Sequence, residues 1–179
     1  MRYFKKLAGE NLYLSPMNPD DAEQYTVWLN DPEVSVWLAQ HTKVISLYGE
    51  RKFLESLSTE GYNFAIVGND DKLIGNCSLF DVCFRTQRAT CGIFIGDAGN
   101  RGKGYGAEAL RLLLDYGFRS LNLHSVMLTL FEDNAQALEC YKKVGFQMMG
   151  RRRESWYING KRRDTLCMDI LKDEFYGNA

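Results

Sequence analysis

The spacing of apolar residues changes period several times along this chain, and each change marks an element. Asn11 to Ser15 alternates, as a half-buried strand does. Pro19, Asp20 and Asp21 supply the proline and acids of a first helical turn, and Ala22, Tyr25, Trp28 and Leu29 follow at helical spacing. Asn30, Asp31 and Pro32 end that helix. Val34 to Leu38 is short and apolar, and a second helix is predicted from about Leu47 to Leu57. Asn63 to Val67, the polar turn Asn69 to Asp71 and Leu73 to Val82 predict a β-hairpin, with Gln87 to Ile95 as a third consecutive strand.

A helix-like run from Ala107 to Leu121 follows, with Leu110, Leu113, Leu114, Gly117, Phe118 and Leu121 as its apolar stripe. Ser125 to Phe131 reads as a strand. Asn134 is a good N-cap for a helix over Ala135 to Val144, and Gly145 is the glycine expected just past its end. Phe146 to Tyr157, an Asn159-Gly160 type I′ turn and Lys161 to Ile170 make a final hairpin. A meander, then a βαβ unit, then a hairpin predict an α/β fold of the mixed α+β kind. Its central mixed sheet is mostly antiparallel and flanked by helices, in one domain over residues 1–179. The strands at Gln87 to Ile95 and Ser125 to Phe131 should run parallel.

Composition narrows the function without naming it. The length of 179 residues suits one packed domain. A net charge of −1 gives no field that would recruit nucleic acid, and Arg151 to Arg153 is most simply a solvated strand edge, with contact to an acidic substrate or the nucleotide end of CoA as the alternative. Cys77, Cys83, Cys91, Cys140 and Cys167 are odd in number and show no CxxC spacing, so buried free thiols and a reducing cytoplasm are expected. His41 and His124 are far apart, and no metal-ligand spacing is visible. Met1 to Lys6 lacks the apolar core of a signal peptide, and no run approaches membrane-spanning length.

The candidate chemistry begins at Arg101-Gly102-Lys103-Gly104-Tyr105-Gly106, between the third strand and the long helix. Three glycines in five positions remove side chains from one side of a turn, so backbone N–H groups can converge. The helix beginning there adds unpaired N–H groups and a positive dipole end, which together favour an anion, most often phosphate. A P-loop is excluded, because its pattern requires Gly at position 97 and Ser or Thr at 104, where the chain has Asp97 and Gly104. A dinucleotide-binding loop is the fairer rival: Gly102, Gly104 and Ala107 fit its pattern, and Glu132 ends the next strand. That loop should follow its strand directly, whereas here Gly96 to Arg101 intervene.

A second block resolves the choice. Arg101-x-x-Gly104-x-Gly106 resembles the [Q/R]-x-x-G-x-[G/A] loop with which the GNAT superfamily of N-acetyltransferases holds the acetyl-CoA pyrophosphate. Asn134, Ala137, Tyr141, Lys143, Gly145 and Phe146 fill the family's N-x-x-A-x-x-x-Y-x-K-x-G-F motif without a gap. The resemblance runs from about Asn11 to Leu171 and looks closest to the RimJ/RimL-like branch, which includes ribosomal-protein N-terminal and spermidine acetyltransferases. Leu121 to His124 and the tail residues Gly150, Glu154, Asn159, Gly160, Asp164 and Met168 support that branch.

The resemblance implies acetyl transfer from acetyl-CoA to a primary amine, with no covalent acyl-enzyme and no metal. Arg101, Gly102, Lys103, Gly104, Tyr105, Gly106 and Ala107 would hold the pyrophosphate. Ile93, Phe94 and Ile95 would pair with pantetheine and give the oxyanion a backbone donor. Asn134 and Ala137 would flank the pantetheine arm, and Tyr141 would be the acid that protonates the leaving thiolate. Cys140, beside Tyr141, is expected to be inert. Branch members often carry a Glu in a pattern like R-x-A-E-x-G, but here Thr90 holds that place within Gln87 to Gly92. Threonine is no base at neutral pH, although it can position a water. Glu33 and Asp81 are weak candidates for a more distant acid. Trp37 falls in the region that covers the acceptor, and Ser78 stands where polyamine enzymes of the branch place a Glu. The expected acceptor is a protein N-terminal α-amine, with a polyamine, amino sugar or aminoglycoside as the alternative. A non-catalytic acyl-CoA sensor is the rival from another class, and a homodimer through a sheet edge is a further expectation.

Overall fold

The computed structural model describes residues 2–177, so Met1, Asn178 and Ala179 of the expected domain lie outside the described residues. The chain clusters into two compact units: residues up to Ser78 together with Ile93–Leu112, and Leu79–Gly92 together with the chain from Leu113 onward. Its strands are β1 (Leu7–Ala8), β2 (Leu12–Pro16), β3 (Tyr62–Gly68), β4 (Leu73–Cys83), β5 (Arg88–Ile95), β6 (Ser125–Phe131), β7 (Gln147–Ile158) and β8 (Lys161–Leu171). Its helices are α1 (Ala22–Asn30), α2 (Pro32–Ser35), α3 (Leu47–Thr59), α4 (Tyr105–Arg119), α5 (Ala135–Val144) and α6 (Lys172–Gly177), with 3-10 turns at Pro19–Asp21 and Ala98–Asn100.

In the first unit the strands lie in the order β1-β2-β3-β4-β5, and in the second β4-β5-β6-β8-β7, so β4 and β5 belong to both. The β5–β6 pair is parallel, as the βαβ reading requires, while β1–β2, β2–β3, β6–β8 and β7–β8 are antiparallel. The mixed, mostly antiparallel sheet with flanking helices is thus present.

The core of the first unit gathers Tyr13, Ala65 and Val67 from the sheet with Tyr25 and Trp28 of α1 and Leu54 of α3. Two glycines allow close packing there. A Cβ on Gly75 would strike the Phe94 carbonyl, and one on Gly96 would enter the Trp28 ring. In the second unit Val126, Leu128 and Leu130 of β6 and Leu166, Met168 and Ile170 of β8 alternate inward. Leu113, Leu114 and Phe118 of α4 are fully buried, as their helical stripe predicts. Ile158 and Lys161 pair across the Asn159-Gly160 turn, whose φ values of 50° and 78° match a type I′ turn.

β1, α2, α6 and the 3-10 turn at Ala98–Asn100 have no counterpart in the pattern reading, which has Pro32 only as the end of a helix. β1 pairs Leu7 with Leu14 and Ala8 with Tyr13. α6 docks Phe175 and Tyr176 on Phe118, with ring centroids 5.5 and 6.3 Å away. The long helix also starts at Tyr105, two residues before the expected Ala107. The five cysteines are free, but only Cys77 and Cys91 are buried; Cys83, Cys140 and Cys167 are half-buried.

Candidate active site

In the first unit, β5 delivers the chain to the glycine loop over a fixed base. Phe94 packs edge-on against Tyr25 and Trp28, at 6.0 and 5.7 Å between centroids. The Gly96 N–H donates to the Ile74 carbonyl at 2.9 Å, and the Trp28 indole N–H donates to Asp97 at 2.8 Å. After the 3-10 turn, the Arg101 guanidinium turns back and donates to the Gly96 carbonyl at 2.9 Å and to Ile95 at 3.4 Å. Arg101 therefore splints the loop to the end of β5.

Gly102 and Gly104 have φ of 75° and 88°, and a Cβ on either would meet nothing within 4 Å. The Glu108 N–H donates to the Gly104 carbonyl at 3.0 Å, which closes the first turn of α4. The N–H groups of Tyr105, Gly106 and Ala107 come too early in the helix for a partner four residues back, which makes them donors for an anion. Glu108, the acid of that turn, accepts from the Asn11 backbone and side chain at 2.8 and 3.1 Å. Lys103 is exposed beside a cavity of about 470 Å³ that Asn69, Lys72, Asn100 and Tyr105 also line.

The second unit holds Thr90, Asp81, Asn134, Ala137 and Tyr141. The parallel ladder sets Thr90 opposite Met127 and covers three pairs, although β5 runs on to Ile95 and β6 to Phe131. The motif of α5 has local physical causes. The Asn134 side chain caps the helix by accepting from the Ala137 N–H at 3.1 Å. Gly145, at φ 112°, donates its N–H to Tyr141 and Lys142, which ends the helix in the left-handed conformation that glycine tolerates.

Tyr141 is 9% exposed and its ring lies 5.9 Å from Phe146. Its hydroxyl makes no hydrogen bond to any described residue. Burial first, then the nearby Cys91 and Cys140 thiols, hold that hydroxyl well above the ordinary phenol range, so it stays protonated. Burial likewise pushes the Cys91 thiol up to about 12.

The four weak acceptor candidates divide between the units. Glu33, Trp37 and Ser78 belong to the first, and Asp81 to the second. Glu33 is exposed at the start of α2, Trp37 is 39% exposed, and Ser78 is half-buried on β4. Asp81 is exposed at φ 51°, an unusual conformation for a side-chain-bearing residue inside a strand. Arg151 is more than a solvated edge: it bridges Glu132 and Asp164, at 2.7 and 2.5 Å. Glu50 escapes the motif reading altogether. It lies in the first turn of α3, a common surface place for an acid, yet it is 4% exposed.

Among the described residues no group of three or more His, Cys, Asp or Glu is placed to hold a metal, and no helix is long and apolar enough to cross a membrane.

Comparison with known proteins agrees with this arrangement. Residues 11–147 match the acetyltransferase (GNAT) domain. The chain is 36% identical over 169 residues to the probable N-acetyltransferase YjcK of Bacillus subtilis, covering 93% of this chain and 90% of that one. It is 28% identical over 173 residues to the spermidine N(1)-acetyltransferase of Escherichia coli, covering 96% of this chain and 86% of the other. The crystal structure of spermidine N-acetyltransferase from Vibrio cholerae in complex with CoA and spermine superposes with a TM-score of 0.84 at 23% identity, over 94% of this chain and 99% of that one, and shares the fold. The chain belongs to the GNAT family of acetyltransferases and is an N-acetyltransferase that draws its acetyl group from acetyl-CoA.

Proposed function

We propose that the chain transfers acetyl directly to the primary amine of a small cationic molecule, in a ternary complex. The observation that carries this reading is the buried Tyr141 hydroxyl, which has no hydrogen-bond partner among the described residues and whose pKa burial raises, so that it keeps its proton. The reading treats the whole chain as one acetyltransferase domain, because β4 and β5 run through both units.

Acetyl-CoA supplies an activated thioester; the chain's own groups do the rest. The N–H groups of Tyr105, Gly106 and Ala107 hold the pyrophosphate, while Arg101 and the glycines at 102 and 104 keep the loop open to it. Lys103 adds positive charge at the rim. The backbone from Ile93 to Ile95 pairs with the pantetheine amides and offers an N–H to the developing oxyanion. Asn134 and Ala137 flank the pantetheine arm. As the amine nitrogen bonds to the acetyl carbon, the carbon–sulfur bond breaks and Tyr141 gives its proton to the sulfur. Thr90 orders a water that carries the ammonium proton away. Support for a cationic acceptor comes from the spermidine acetyltransferases among the relatives. A protein N-terminus is the second reading, favoured by the exposed side chains of Trp37, Val44 and Tyr48, which a peptide could cover.

The test is turnover of acetyl-CoA with a panel of spermidine, amino sugars, aminoglycosides and peptides bearing free N-termini. Spermidine is expected to lead. Binding of acetyl-CoA without turnover of any amine would overturn the enzymatic reading in favour of a sensor.

Thr90 provides a second check. If the hydroxyl only orders a water, Thr90→Val should slow turnover and leave acetyl-CoA affinity unchanged. Thr90→Glu should keep or raise the rate by restoring an acid. A wild-type rate in Thr90→Val removes this residue from the mechanism.

A further inference from the structure

Asp97 stands where its charge works against the loop it opens. It follows Gly96 at the end of β5, at the entrance to a segment whose glycines and helix N-terminus favour an anion. A carboxylate at that entrance repels an anionic ligand. Its side chain does not cap the 3-10 turn Ala98–Asn100, although Asp97 holds the N-cap position. It accepts instead from the Trp28 indole N–H, at 2.8 Å.

Trp28 is itself firmly placed. It lies in the last turn of α1, is 3% exposed, and meets Tyr25 and Phe94 edge-on at 5.5 and 5.7 Å between centroids. The same ring covers Gly96 so closely that a Cβ there would come within 2.1 Å of it. The Gly96 N–H is taken by the Ile74 carbonyl, and the Gly96 carbonyl accepts from Arg101. The chain is therefore fixed at Gly96. Immediately beyond, Ala98 and Gly99 are exposed, and a Cβ on Gly99 would meet nothing within 4 Å, so packing does not place this stretch. An indole N–H only donates and a carboxylate only accepts, so the Trp28–Asp97 pair has a single arrangement. All of these residues belong to the first unit.

We propose that Asp97 is a positioning residue for acetyl-CoA: through the Trp28 indole it ties the entrance of the glycine loop to α1, and so sets the path of the loop that receives the pyrophosphate. This rests on the pyrophosphate position proposed above and adds the residue that holds the loop in place for it.

The experiment is calorimetric titration of acetyl-CoA into wild type, Asp97→Asn and Asp97→Ala, with a ligand-free melt of each. Asp97→Ala should weaken binding by about three- to tenfold, because the freedom it returns to the loop must be given up on association. Asp97→Asn keeps an oxygen for the indole and loses the charge, so it should bind as tightly as wild type or more tightly. In a Trp28→Phe background Asp97→Ala should no longer weaken binding, since the indole donor is already gone. Both Asp97 variants should melt near wild type, because Asp97 is exposed. A structural role alone would lower the melt of Asp97→Ala and leave its affinity unchanged.

Wild-type affinity in Asp97→Ala overturns the proposal. Equal changes in Asp97→Asn and Asp97→Ala also overturn it, because they trace to charge and not to the bond. The two Asp97 variants decide the matter even where Trp28→Phe does not fold. Gly104→Val, titrated alongside, keeps the two readings apart. Lost binding in Gly104→Val beside full binding in Asp97→Ala leaves the pyrophosphate in the loop and removes the role of Asp97. Full binding in Gly104→Val beside weakened binding in Asp97→Ala moves the pyrophosphate and keeps Asp97 as a residue on which acetyl-CoA affinity depends.

Discussion

Gly104→Val is expected to abolish the thermal stabilisation that acetyl-CoA gives the wild-type chain. At about 100 times its dissociation constant a ligand adds about 2.7 kcal/mol to stability, so the wild-type shift is easily measured. Gly104 sits at φ 88° with open space around its missing Cβ. A valine there meets no wall of the protein, but its branched carbon projects into the space assigned to the pyrophosphate. The left-handed conformation itself costs about 1–2 kcal/mol for a residue with a side chain. The ligand-free melt should therefore fall modestly while the ligand-induced shift disappears. Differential scanning fluorimetry with and without millimolar acetyl-CoA separates the two effects. A Gly104→Val protein that keeps the full shift moves the pyrophosphate away from this loop.

Tyr141→Phe should separate binding from chemistry. The substitution removes one hydroxyl and keeps the ring against Phe146. Because that hydroxyl has no partner among the described residues, no internal hydrogen bond is broken. If it protonates the leaving sulfur, it acts in the transition state, so kcat and kcat/KM fall together. General-acid contributions span about 10²–10⁴-fold. Burial keeps the Tyr141 hydroxyl loaded at any working pH, but a raised pKa also makes it a weaker acid. A loss near the lower end, about 10²-fold, is expected on that ground. The melt shift with acetyl-CoA should stay near wild type. Steady-state kinetics showing full kcat in Tyr141→Phe would return Tyr141 to a packing role and leave the sulfur to solvent.

Elements governed by local rules were legible from the chain alone. The Asn134 cap, the Gly145 stop and the Asn159-Gly160 turn depend on residues within a few positions of one another, and each stands where the pattern puts it. Elements governed by distant partners were not. β1 is two residues long and exists because β2 offers it a ladder. α6 is a short tail fixed by Phe118, with Tyr176 donating to Asp115 at 3.1 Å. The site divides along the same line. The glycine loop and Tyr141 carry a spacing that can be read. The burial of Glu50 carries none, because a first-turn acid looks solvated until α1 is seen packed on α3. Asp97 likewise reads as a loop acid until the Trp28 indole is found on it.

The Arg101 splint moves an energetic cost from one process to another. A mobile glycine loop would have to be ordered at the moment of association, and that loss of freedom would come out of the affinity. In this chain the Trp28–Asp97 hydrogen bond and the Arg101 guanidinium fix the approach to the loop, and the Glu108 N–H on the Gly104 carbonyl fixes its exit into α4. Its conformational entropy is surrendered once, during folding. The three glycines thus weigh on the stability of the free protein, and under the proposed mode of binding each acetyl-CoA would meet a loop that has already taken its shape.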